Sequence, residues 1–126
     1  MEPKKNILVV EDSETSAILI QSLFEENNLY KVYVENKSTK AIQKIKKVMP
    51  DIILLDLMLP RVDGFTLLSQ IKEDPEIKDI PVVVVSAKTE NSDVEHALQL
   101  GAIDYVKKPI GTNKLFERVH KLLENA

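Results

Sequence analysis

Asp56 stands inside an almost unbroken apolar run, Ile52-Ile53-Leu54-Leu55-Asp56-Leu57-Met58-Leu59-Pro60. A carboxylate in such surroundings must carry a proton or have a cation beside it, because an unpaired buried charge is too costly to keep. Two further acids, Glu11 and Asp12, follow the aliphatic stretch Ile7-Leu8-Val9-Val10, the Ser86 hydroxyl follows Val82-Val83-Val84-Val85, and Lys108 follows Val106-Lys107. If these groups meet, like-charged carboxylates demand a counter-cation, and a hard divalent ion such as Mg²⁺ answers with oxygen ligands and room for phosphate. A metal, an ammonium and a hydroxyl around one carboxylate suit phosphoryl transfer, which is mainly positioning and charge stabilisation, with Asp56 as the nucleophile. Each residue also has a plainer reading. Glu11-Asp12 can simply open a helix, where negative charge is favourable. Ser86 alone reads as a structural hydroxyl, and Lys108 alone as a solvated surface residue.

What could bring them together is the order of elements. The runs Ile7–Val10, Ile52–Leu55 and Val82–Val85 are aliphatic on both faces, as in the buried strands of a parallel sheet. Tyr30–Val34 alternates, with Lys31, Tyr33 and Glu35 on one side, which predicts an edge strand, and Ala102–Val106 predicts a fifth strand. Between them lie helical stripes: Ala17, Ile20, Leu23 and Phe24 behind a Ser13 cap, stopped at Asn27-Asn28; and Ala41, Ile42, Ile45, Val48 and Met49 behind a Ser38 cap, with lysines mostly on the wet side. After the turn Pro60-Arg61-Val62-Asp63-Gly64 come Phe65, Leu68 and Ile71, then a polar connection bracketed by Asp74-Pro75 and Ile80-Pro81; after the Val82–Val85 run, Val94, Ala97 and Leu98 up to a Gly101 cap; and last Leu115, Phe116, Val119, Leu122 and Leu123, ending near Glu124.

Strand and helix thus alternate five times, predicting an α/β fold of the doubly wound, flavodoxin-like (βα)5 type with a parallel five-stranded sheet of order 2-1-3-4-5 and helices on both faces. In that order the crossovers reverse between strands one and three, the place where open α/β sheets bind ligands, and the residues leaving those strands are Glu11-Asp12 and Asp56.

The 126 residues predict one domain over 1–126, with a core of about 5–124. A formal charge of −3 argues against direct nucleic-acid binding, and the absence of cysteine excludes disulfides, thiolate zinc sites and thiol nucleophiles. No stretch reads as a signal peptide or membrane span, which places the chain in the cytoplasm.

Val9-Val10-Glu11-Asp12, Leu55 to Pro60 with Asp63-Gly64, Val85-Ser86-Ala87 and Gly101 to Pro109, taken in register with five strands, resemble the receiver domain of bacterial two-component response regulators, the CheY-like family. The resemblance covers essentially the whole chain. It implies that Asp56 accepts phosphate from a histidine kinase or histidine phosphotransfer protein. Mg²⁺ or Mn²⁺ would be held by Asp12, by Glu11 directly or through water, by Asp56 and by the main-chain carbonyl of Met58. Glu11 stands where the family often has aspartate. Lys108, which directly precedes Pro109 in a bond expected to be cis, matches the lysine of the pattern. Ser86 and Tyr105 would be the switch pair, altering the face built from helix four, strand five and helix five toward an output protein or a second copy. Met58 and Lys88 would tune the lifetime of the phosphate. The chain would then be a switch that catalyses its own phosphorylation and dephosphorylation, not a turnover enzyme on metabolites.

Other residues and functions compete. His96 and His120 have no partner ligands at metal spacing and read as helix residues without a site. Lys114, Arg118 and Lys121 form a basic stripe on the last helix, either a solvated face or a contact for an acidic partner. A flavodoxin-like FMN carrier shares the topology, yet its first loop would need glycines where this one has two acids. A haloacid-dehalogenase-like phosphohydrolase would place its aspartate nucleophile after the first strand and a second acid two residues on, which Asp12-Ser13-Glu14-Thr15 only approximates.

Overall fold

The computed structural model describes residues 4–88, 90–109 and 114–124. Its elements run β1 (Lys5–Val10), α1 (Glu14–Glu25), β2 (Tyr30–Glu35), a single 3-10 turn (Ser38–Lys40), α2 (Ala41–Val48), β3 (Ile52–Leu55), α3 (Gly64–Glu73), β4 (Val82–Ser86), α4 (Asn91–Gln99), β5 (Asp104–Lys107) and α5 (Lys114–Glu124). The five strands pair in parallel in the order β2-β1-β3-β4-β5, as the sequence predicts. The register sets Val9 beside Leu54 and Val10 beside Leu55, so the residues that leave β1 and β3 emerge side by side on one rim.

Alternation along the strands builds two cores. Ile53, Leu55, Val82 and Val84 face α2, α3 and α4, where Ala41, Ile45, Leu68, Ile71 and Ala97 complete the layer. Ile52, Leu54, Val83 and Val85 point to the other side and pack on Ile20 and Phe24 of α1 and on Leu115, Val119 and Leu123 of α5. All four β3 residues are buried, because a central parallel strand has helices over both faces. Each such side chain contributes roughly 1.5–3 kcal/mol of hydrophobic stabilisation before ordering costs are charged against it.

Local signals start and stop the helices. The Ser13 hydroxyl accepts from the Ser16 N–H at 3.3 Å, and the Asp63 carboxylate accepts from the Thr66 N–H at 3.0 Å, each meeting an orphan donor of a first turn. Gly101, at φ +114°, closes α4: its N–H donates to Leu98 O at 3.1 Å and the Ala102 N–H to Ala97 O at 3.0 Å, the paired bonds of a Schellman end.

Four local expectations are corrected. Ser38 does not cap α2; its hydroxyl is turned to the β3–α3 loop, donating to Pro60 O at 2.6 Å and accepting from the Val62 N–H at 3.2 Å. Met49 is not on the buried stripe: it is the left-handed terminal residue of α2 (φ 47°) and is 51% exposed, because the helix has already stopped ahead of Pro50. Leu98 is 44% exposed, since α4 meets the sheet through the small Ala97. The fifth strand begins at Asp104, with Ala102 spent on the α4 end and Ile103 half exposed. In the α3–β4 connection Ile77, unnoticed in the pattern, is an anchor of the first core.

Gly101 supports a direct test. A Cβ there would combine a left-handed backbone with an approach of 2.9 Å to Lys72 Cγ, whose ammonium ties Lys78 O and Ile80 O. Gly101→Ala is expected to lower unfolding free energy by about 1–2 kcal/mol in urea denaturation, with an unchanged slope.

Candidate functional site

The rim above β1 and β3 carries the site. The Glu11 N–H donates to Glu35 O at 3.1 Å and the Asp56 N–H to Val10 O at 3.1 Å, so the ladder continues one step past the strands and aims both side chains into one pocket. Glu11 is 2% exposed and Asp56 5%, while Asp12 is open to solvent. Oxygens of all three carboxylates lie within 4.8 Å of one another.

Lys108 supplies the cation that the position of Asp56 requires. Its Nζ lies 2.8 Å from Glu11 Oε2 and 3.2 Å from Asp56 Oδ2, on a side chain 17% exposed. The Lys108 main-chain N–H donates to Ser86 O at 2.9 Å, and the Lys108-Pro109 bond is cis, as expected. Further donors hold the acids: the Ser13 N–H reaches Glu11 Oε1 at 3.2 Å and the Met58 N–H reaches Asp56 Oδ1 at 3.0 Å.

One ammonium faces two buried carboxylates and a third nearby, and the electrostatics follow from that shortage. Burial, with the neighbouring Asp56 charge adding to it, raises the Glu11 carboxyl above its ordinary range despite the hydrogen bond from Lys108. Burial works against the charged Lys108 too, yet the hydrogen bond to Glu11 and the Asp56 charge outweigh it and hold the ammonium above its usual pKa. The pocket is thus short of positive charge. Its donors are all hard oxygens within a few ångströms, the set that fits a small divalent cation.

The switch candidates meet at the Lys88 backbone. Ser86 is fully buried and its Oγ accepts from the Lys88 N–H at 3.3 Å. Tyr105 is 7% exposed, and its hydroxyl donates to Lys88 O at 2.8 Å. Lys88 backbone groups therefore touch both residues. Burial, followed by the charge of Asp93, raises the Tyr105 phenol and keeps it a donor. The Met58 side chain is 54% exposed at the pocket's edge.

Several residues go elsewhere. His96 stacks on Phe65 with ring centroids 4.4 Å apart. His120 bonds the Tyr30 hydroxyl and pairs with Glu124 at the opposite end of the sheet. Arg118 is no free member of a stripe: its guanidinium donates to Tyr105 O at 3.0 Å and lies 3.4 Å from Asp104 Oδ1, while Lys114 and Lys121 remain exposed.

Two residues have positioning roles that their sequence signals do not show. Ser38 staples the β3–α3 loop. Gly64 packs so closely that a Cβ would stand 2.3 Å from Leu57 Cα and 2.5 Å from Asp56 O, which lets α3 start directly beneath the pocket. The sequence shows Gly64 as part of a turn and of the receiver-like motif, not as a point of close packing.

No helix among the described residues is long and apolar enough to cross a membrane. The family model of the response regulator receiver domain matches residues 7–120. The response regulator PleD of Caulobacter vibrioides is 38% identical over 116 residues, covering 92% of this chain and 25% of PleD. The phosphate regulon transcriptional regulatory protein PhoB of Rhizobium meliloti is 34% identical over 126 residues, covering 100% of this chain and 54% of PhoB. The chain therefore spans between a quarter and about half the length of these curated relatives. Among solved structures, the BeF3-activated N-terminal receiver domain of Klebsiella pneumoniae RstA superposes with a TM-score of 0.87 at 28% identity, over 94% of this chain and 98% of that one. With matching strand order and a family match over most of its length, the chain belongs to the response regulator receiver domains of two-component systems.

Proposed function

We propose that this chain is a phosphoaccepting switch, in which Asp56 receives a phosphoryl group from a histidine kinase or histidine phosphotransfer protein in the cytoplasm. The observation that carries this reading is the Lys108 ammonium set between Glu11 and Asp56 at 2.8 and 3.2 Å, beside a third carboxylate. An Asp56 carboxylate oxygen attacks the phosphorus of the donor, the phosphorus–nitrogen bond of a phosphohistidine breaks, and an acyl phosphate forms, the imidazole leaving as a neutral ring because its other nitrogen already carries a proton. Lys108 faces the added negative charge and stays protonated to do so. Glu11, Asp12, Asp56 and the Met58 carbonyl would hold Mg²⁺ or Mn²⁺, which supplies charge neutralisation for the phosphoryl oxygens when bound.

Ser86 then turns its hydroxyl from the Lys88 N–H to a phosphoryl oxygen, and Tyr105, already bound to Lys88 O, transmits that change to the surface of α4, β5 and α5. An output protein or a second copy reads that surface. The RstA receiver's activation by BeF3 is consistent with such a site in a chain of the same fold. The dehalogenase-like alternative loses support because Ser13 caps α1 and Glu14 is exposed in its first turn, leaving no second acid there to work with Asp12.

Incubation with acetyl phosphate and Mg²⁺, read by intact mass, tests the assignment. Wild type is expected to gain one phosphoryl adduct and Asp56→Asn none; an adduct on the variant would move the acceptor elsewhere. Metal affinity adds a pH signature. Because burial raises the Glu11 carboxyl, protonation begins above the ordinary carboxylate range as pH falls and removes a ligand charge. Calorimetric Mg²⁺ titrations are expected to weaken from neutral pH toward pH 5, with Glu11→Gln flattening the dependence; the same slope in the variant would contradict the assignment.

A further inference from the structure

Arg61 is one of three non-glycine residues with positive φ among the described residues, at 71°. Such backbone is uncommon for a long side chain and persists where surrounding structure enforces it. Here the enforcement is Ser38, 5% exposed, whose single hydroxyl bonds Pro60 O on one side of Arg61 and the Val62 N–H on the other. The clamp fixes the Arg61 backbone at the edge of a concavity of about 350 Å³, lined also by Asn36, Lys37, Thr39 and Lys40.

Lys37, Lys40 and Arg61 line it together with Asn36 and Thr39, all five exposed to solvent, and no carboxylate residue is among its lining. The nearest acid in sequence, Glu35, accepts from the Lys37 main-chain N–H at 3.0 Å and lines an adjoining depression, whose wall Lys40 shares. Lys37, Lys40 and Arg61 form no ion pair among the described residues, whereas Lys46 pairs with Asp74. In a chain of net charge −3 this is a local concentration of unneutralised positive charge. A guanidinium fork with two ammoniums matches a doubly charged tetrahedral oxyanion better than a single carboxylate. The volume exceeds a bare phosphate and falls within the lower range of small-ligand sites.

We propose that this concavity binds a small phosphate monoester, at a site separate from the Asp56 pocket and independent of the phosphoacceptor reading. The test is a metal-free ¹H–¹⁵N NMR titration of the 126-residue chain with AMP. Inorganic phosphate, acetate and a glutamate-rich peptide are run at matched ionic strength. Amides of residues 36–40 and 61 are expected to shift saturably with AMP and weakly with acetate. Lys37→Gln/Lys40→Gln should weaken binding at least tenfold while acetyl phosphate still labels Asp56. Arg61→Lys, which keeps the charge and loses the fork, should weaken it severalfold. Non-saturating shifts equal to those in acetate, shifts unchanged in both variants, or saturation only with the acidic peptide would each overturn the proposal. A loss of Asp56 labelling with AMP binding intact would instead count against the phosphoacceptor reading alone.

Discussion

Two carboxylates withdrawn from water share one ammonium. That shortage of positive charge governs the rim of the sheet. Glu11 and Asp56 are almost completely buried, and Lys108 bridges them as the only cation in contact among the described residues. Burying an ion pair gains little by itself, because desolvation offsets the Coulombic attraction. The arrangement makes sense as a preorganised charge distribution, with acids held close enough to need a metal and a cation placed where new negative charge would arrive.

The fold exists upstream of that contact. Parallel strands of order β2-β1-β3-β4-β5 carry α1 and α5 on one face and α2, α3 and α4 on the other, so the crossovers reverse between β1 and β3 and the exits of those two strands border one gap. Two cores hold the strands from both sides. Glu11, Asp56 and Lys108 are joined across sequence separations of 97 and 52 residues. No local structure could align them. Gly64 shows how tight the packing is, since even a methyl would strike the Asp56 carbonyl.

Much of this was legible from residue order. Period and run length gave the five strands, because a strand buried on both faces has nowhere to put polar side chains. The uncomfortable position of Asp56 announced the cation that Lys108 provides. What periodicity could not convey is where helices stop and which polar groups are diverted. Met49 and Leu98 have apolar spacing yet face solvent, one past a helix end and one beside a small residue that makes the contact. Ser38 has the composition of a cap, but a loop distant in sequence offers its hydroxyl both an acceptor and a donor. Arg118 has the spacing of a basic stripe, and the β5 backbone and Asp104 engage it.

The central claim is that Lys108 and a divalent cation neutralise the same buried acids. Urea unfolding of wild type and Lys108→Met, each with EDTA and with saturating Mg²⁺, tests it most directly. Without metal, loss of the ammonium leaves buried charge uncompensated and is expected to cost about 3 kcal/mol. With Mg²⁺ the cost should shrink by half or more, since the ion takes over that neutralisation. Equal destabilisation in the two conditions would show that Lys108 and the metal do not share the acids, and would contradict the account.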